Sequence, residues 1–169
     1  MCNKQKGESK MRKTYVMVAL VVMVCAGSYA GQVWNFDTDG DFQGWFDHNN
    51  RMTDKQVLGG TLKFSTTDQK DPQWRLKVDS LDASVDLIFE VVVRRTSGDA
   101  RAKPAFYVYN GVKDLQLQPG RIVTLKDDEE FQTVQFKYKG GSLPSITVIR
   151  FDPVTNEVGS WEINSISVP

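Results

Sequence analysis

The chain of 169 residues carries 21 basic and 21 acidic side chains, one histidine and two cysteines. Five of the basic residues and one of the acidic ones fall in the first thirty, so the remainder holds 16 against 20, and this net of about −4 argues against a nucleic-acid partner or an anionic membrane surface. Both cysteines, Cys2 and Cys25, lie in the same leader, and His48 is the single histidine, so the rest of the chain cannot assemble a Cys–His pair or a multi-histidine zinc site.

In that leader Lys10, Arg12 and Lys13 precede an apolar run from Tyr15 to Ala26, and Ser28-Tyr-Ala30 closes it. Basic, apolar and small-residue regions in this order predict a secretory signal peptide over residues 1–30, cut after Ala30. The run is short of the roughly 20 residues that span a bilayer, and no second such segment follows. Initiation at Met11 would give a more usual basic region. Lipid attachment at Cys25 would want a small residue before it, and Val24 stands there. Residues 31–169 then form one domain of ordinary size. The expected location is secreted, periplasmic or on the cell surface, with no membrane insertion after cleavage.

From Gln32 onward, short β-branched and aromatic runs alternate with Gly, Pro, Asn and Asp, without sustained helical periodicity, which predicts an all-β domain. The first run, Val33–Phe36, leads into Asn35–Trp45, where Asp37, Asp39 and Asp41 alternate before Gly44-Trp45. That spacing suits either hard oxygen ligands for calcium or an acidic turn ahead of a core tryptophan. Further strands are expected at 44–49, 51–58, 61–65, 73–78, 85–95, 103–109, 121–125, 132–138, 145–151 and 161–168. Gly59-Gly60 and Asn110-Gly111 mark tight turns, and Gly140-Gly141 closes a hairpin or crossover. In the longest run Leu87, Phe89, Val91 and Val93 share a core face, and in the 103–109 run Tyr107 and Tyr109 point one way while Phe106 and Val108 point the other. Eleven short strands favour two packed antiparallel sheets, a jelly-roll β-sandwich. The acidic run Asp127 to Glu130 reads as a solvated turn.

Three segments together resemble the exported carbohydrate-binding-module-like β-sandwiches with a galactose-binding-like jelly roll. They are Trp34-Asn-Phe-Asp with Asp39-Gly and Gly44-Trp45, then Thr66-Thr-Asp-Gln-Lys-Asp-Pro-Gln-Trp74, and finally Ile149-Arg-Phe-Asp-Pro153 with Gly159-Ser-Trp-Glu-Ile-Asn-Ser-Ile166. The resemblance spans essentially all of residues 31–169. It implies a noncatalytic polysaccharide-binding domain, of a kind often attached to glycan-degrading enzymes, which here would be encoded separately. It also implies a structural calcium where the first and last strands meet. Asp37 matches one ligand position, Asn164 stands where the group usually has aspartate, and Asp39 is a third candidate. The plainer reading is that Asp37 and Asn164 cap turns.

For sugar binding, Trp74, Tyr107 and Tyr109 are the stacking candidates, with Arg94 as hydrogen-bond donor and Gln73 and Arg75 as polar neighbours. Trp34, Trp45 and Trp161 read as core, and His48 as a surface residue. Catalysis has weaker support. No Gly-x-Ser-x-Gly elbow accompanies His48, and no Glu-x-Asp-x-Glu run is present. A lyase could draw on Tyr107, Tyr109, Arg94 and Arg150. The remaining alternative is a structural or adhesion domain, which a continuous apolar sheet face would favour.

Overall fold

The computed structural model describes residues 31–67, 71–98, 102–121, 125, 130–154 and 158–169. The leader, with Cys2 and Cys25, and most of the acidic run, residues 127–129, lie outside the described residues. The described chain forms twelve strands and no helix: β1 (Gln32–Trp34), β2 (Phe46–Asp47), β3 (Met52–Val57), β4 (Leu62–Thr66), β5 (Trp74–Leu81), β6 (Leu87–Gly98), β7 (Ala105–Tyr109), β8 (Asp114–Gln116), β9 (Gln118–Arg121), β10 (Gln132–Tyr138), β11 (Ile146–Asp152) and β12 (Gly159–Val168).

These strands make two antiparallel sheets, as a sandwich requires. The larger runs β3-β4-β12-β6-β10-β9, with β1 also paired to β12, and the smaller runs β2-β5-β11-β7-β8. β12 is long enough to pair β4 along its first half and β1 along its second, so Trp34 lies opposite Ile166 and Gln32 opposite Val168. The two ends of the domain are thereby joined by one ladder.

Alternation fixes which side chains face inward. Along β6, Leu87, Phe89, Val91 and Val93 are buried while Ile88, Glu90, Val92 and Arg94 face outward. Across the sandwich, Phe89 and Phe136 of the larger sheet meet Phe106 and Phe151 of the smaller, with ring centroids 4.8 to 6.5 Å apart. Tilted and edge-on contacts of this kind add to the area that aromatic rings remove from water.

Of the strand expected at 121–125, residues 122–124 lie outside the described residues. β9 occupies Gln118–Arg121, and β8, which precedes it, was not anticipated. Only one residue, the buried Leu117, separates them, yet β8 belongs to the smaller sheet and β9 to the larger. The chain turns a corner there, and the Leu-Gln-Leu-Gln-Pro alternation is too brief to read as two strands. The Gly59-Gly60 and Asn110-Gly111 turns stand where expected. Leu58 N donates to Thr61 O, and the Asn110 side chain accepts from the Val112 and Lys113 amides.

Candidate functional site

Residues directly opposite in an antiparallel ladder project from the same face. Register therefore places Phe46, Arg75, Arg150, Tyr107 and Gln116 in one row across the five strands of the smaller sheet. Trp74, Leu76, Phe106, Val108, Ile149 and Phe151 occupy the opposite, core-facing side and are buried. The row thus lies on the outer face, with Tyr109 one step along β7 from Tyr107 and His48 one step along from Phe46.

The row is tightly organised. The Arg150 guanidinium lies 4.3 Å from the Tyr107 ring centroid, and that of Arg75 lies 5.0 Å from the Tyr109 centroid. Arg150 also donates to Tyr109 Oη at 3.2 Å, to both oxygens of Asp152 at 2.6 and 2.5 Å, and to both oxygens of Asp71 at 2.7 and 2.6 Å. Gln73 Nε2 donates to Asp71, and Gln73 Oε1 accepts from Nε and Nη2 of Arg75. A single network thus runs from Arg75 through Gln73 and Asp71 to Arg150 and Asp152. It holds both tyrosines without covering the sheet, which leaves each ring half-buried. Phe46, 40% exposed, ends the row with an edge contact to the exposed His48.

Two carboxylates share one guanidinium here, and their titration separates accordingly. Burial pushes Asp152 up to about 7, against the pull of Arg150. Burial also works to raise Asp71, but the Gln73 hydrogen bond and the Arg150 charge outweigh it and hold Asp71 below its usual value. Arg150 is buried too, yet its bonds to Asp152 keep it firmly charged. Burial raises the Tyr107 hydroxyl, with Asp152 adding to the effect. His48 is lowered by burial and then by the charges of Arg75 and Arg150, against the pull of Asp47.

Two expectations require correction. Trp74 cannot stack on a sugar: it is 1% exposed, packed against Phe64 at 5.4 Å and Phe42 at 6.0 Å. Its place in β5 gives the outward direction to its neighbours Gln73 and Arg75, and strand alternation sends the indole inward. Arg94 belongs to the other sheet, where it donates to Glu162 at 2.7 Å and lies over the Phe131 ring, so it is not beside the tyrosines. Trp34 packs against the core as expected, half-buried and set edge-on to the buried Trp45 at 5.8 Å. The adhesion reading asked for a continuous apolar sheet face. The outer face of the larger sheet instead carries Gln135 bonded to Glu90 and Arg94 bonded to Glu162.

Phe46, like Gln116 at the far end of the row, was passed over by sequence reasoning. Its signal was the Phe46-Asp-His48 alternation, which puts an aromatic and an imidazole on one side of a short strand. Arg150 was noticed only as a lyase candidate.

The residues expected to hold calcium make hydrogen bonds to the loop and turn around them. Asp39 Oδ1 accepts from Gly59 N at 2.9 Å, Asn164 donates to Gly60 O at 3.4 Å, and Asp37 accepts from the Asn35 amide. Asp39 and Asn164 thus brace the β3–β4 turn from two sides. Among the described residues no group of three or more His, Cys, Asp or Glu is placed to hold a metal ion. A shallow groove of about 520 Å³ also opens between β1 and β5, lined by Trp34, Gln43, Leu76 and Lys77 among others.

No protein-family model matches the sequence, and no curated protein matches it. Among solved structures the chain is similar to family 29 carbohydrate-binding modules. One variant aligns with a TM-score of 0.56 at 14% identity, covering 82% of this chain and 91% of that one. A second, complexed with cellulohexaose, aligns at 0.54 and 14%, covering 82% and 90%. A third, complexed with mannohexaose, aligns at 0.55 and 16%, covering 82% and 89%. The carbohydrate-binding-module-like β-sandwich implied by the three sequence segments is the fold of this chain.

Proposed function

We propose that the protein binds polysaccharide, without chemistry of its own, on the outer face of the smaller sheet. The observation that carries this reading is the row Phe46, Arg75, Arg150, Tyr107 with Tyr109 beside it. Aromatic surfaces accept the C–H faces of pyranose rings, and planar polar groups address the hydroxyls. Five adjacent strands at about 4.8 Å spacing make a platform roughly 20 Å wide, enough for several sugar units. Arg150 is too buried to reach far, and we assign it a positioning role: it fixes Tyr107 through its ring face and Tyr109 through its hydroxyl, which lowers the ordering cost of binding. The similar family 29 modules complexed with cellulohexaose and mannohexaose support a glycan as ligand.

The lyase alternative draws on the Tyr109–Arg150 contact. A catalytic base, however, needs a hydroxyl that loses its proton readily, and burial shifts Tyr107 the other way. The Arg150 guanidinium is also committed to two carboxylates rather than held open for a substrate. Residues 1–30 we read as an export signal, with the protein acting outside the cytoplasm beside a separately encoded glycan-degrading enzyme.

Affinity electrophoresis of the exported protein in polysaccharide-containing gels tests the site. Tyr107→Ala should lose about 1–2 kcal/mol of binding, close to tenfold in retention, with little change in melting. Trp74→Ala should instead cost about 3–5 kcal/mol of stability, seen as a fall in the urea midpoint. Undiminished retention in a Tyr107→Ala, Tyr109→Ala double variant would sink the proposed face.

A further inference from the structure

The groove between β1 and β5 lies apart from the tyrosine row and has a chemistry of its own. Trp34 stands opposite the buried Ile166, on the core side of β1, yet its indole is only half-buried where the groove of about 520 Å³ opens the side of the sandwich. Leu76 lines the same groove from β5, and Trp45 holds the Trp34 ring edge-on. Most of the polar lining is unpartnered. Gln32, Lys77 and Asp79 make no side-chain hydrogen bond or ion pair among the described residues. Gln43 donates its amide to Asn35, while its Oε1 has no partner there. Lys77 lies level with Tyr109 across Val148, so the groove adjoins the tyrosine face along β5.

That lining selects a class of ligand. One ammonium and one carboxylate stand together, so charge favours neither an anion nor a cation. The amides and charged groups offer donors and acceptors alike, and the indole offers an apolar surface. A lipid tail would desolvate those polar groups and leave them unmet. A pyranose is apolar on its C–H faces, and its hydroxyls both donate and accept, so it meets both kinds of wall. The volume falls among those of small-ligand sites and has room for about two sugar units. We propose that this groove is a second carbohydrate site, which takes a short segment of neutral glycan with Trp34 against a ring face and Gln43, Lys77 and Asp79 on its hydroxyls. The site stands on its own residues and does not depend on the tyrosine face. Being shallow, it holds its ligand weakly, and its use is bivalence: a second stretch of glycan held by the same domain raises retention on a polymer without tightening either site.

Tryptophan emission tests the site directly, because Trp45, Trp74 and Trp161 are at most 3% exposed and Trp34 is the indole that solvent reaches. The exported protein is titrated with short gluco-, manno-, xylo- and galacto-oligosaccharides, with acrylamide quenching and calorimetry alongside. Three proteins are compared: the native chain, a Tyr107→Ala, Tyr109→Ala double variant, and a Gln43→Gly, Asp79→Ala double variant. The last should fold, since Gln43 sits at φ 51°, where glycine is at ease, and Asp79 is exposed. At least one oligosaccharide should shift the emission to the blue and shield it from acrylamide, in the native chain and in the tyrosine variant alike. The Gln43→Gly, Asp79→Ala variant should need about tenfold or more oligosaccharide for the same change, with its melting unaltered. Heat of binding without any change in emission, lost in the tyrosine variant, would overturn the groove and keep the tyrosine face. An emission change that the Gln43→Gly, Asp79→Ala variant leaves intact would also overturn the groove. Binding of none of the oligosaccharides to any of the proteins would overturn both sites.

Discussion

Asp152 shows how much a single side chain can owe to its surroundings. It sits 1% exposed, and the guanidinium that it shares with the more exposed Asp71 does not offset the cost of burying its charge. Its carboxyl therefore keeps its proton up to about 7 when folded and releases it near 3.8 when unfolded. The folded state binds more protons between those values, so this contribution to stability is full below the lower value and lost as pH rises through the higher one. Asp71, lowered on folding, and His48, lowered as well, act in the opposite sense. Urea midpoints should therefore fall more between pH 5 and pH 8 in the native chain than in Asp152→Asn, which carries no titrating group at that position. Parallel pH profiles for the two proteins would remove Asp152 from the account. Tyr107 and Trp74 make the companion contrast. Both are aromatic and both belong to the smaller sheet, but one strand directs its odd-numbered side chain outward and the other directs its even-numbered one inward.

At the scale of elements, the loop from Asn35 to Trp45 does more than join β1 to β2. Phe36 is fully buried at φ 53°, in the left-handed region that a bulky residue enters only when packing demands it. Gly44, at φ 82°, precedes the buried Trp45, and a Cβ there would lie 2.9 Å from Leu76 Cδ1. Gly44→Ala should cost about 1–3 kcal/mol, read from denaturant unfolding, because the conformation and the contact are both unfavourable. Sugar binding should survive it under native conditions, since the loop packs against the core and not on the tyrosine face. The Asp39 and Asn164 caps converge on the Gly59-Gly60 turn from the first loop and the last strand. Because their bonds already close the turn, melting in excess calcium and in chelator should coincide. A rise of several degrees with calcium would restore a metal to this corner.

For the whole molecule, the proposed export signal predicts that mass spectrometry of the secreted product should find Gly31 at its N-terminus. All-β class, two sheets, the core face of β6, the pairing direction of Tyr107 and Tyr109, and the turns at Gly59 and Asn110 were legible in the sequence. Each depends on a period of two or on turn-favouring glycine and asparagine, both local properties. Strand register was not legible, because it depends on which distant strands lie side by side. Only the tertiary structure could set Arg150 against Tyr107, bring Phe46 into the same row, move Arg94 to the opposite sheet and send Trp74 into the core. Composition could not tell a buried tryptophan from an exposed one, since both choices fit the same alternation.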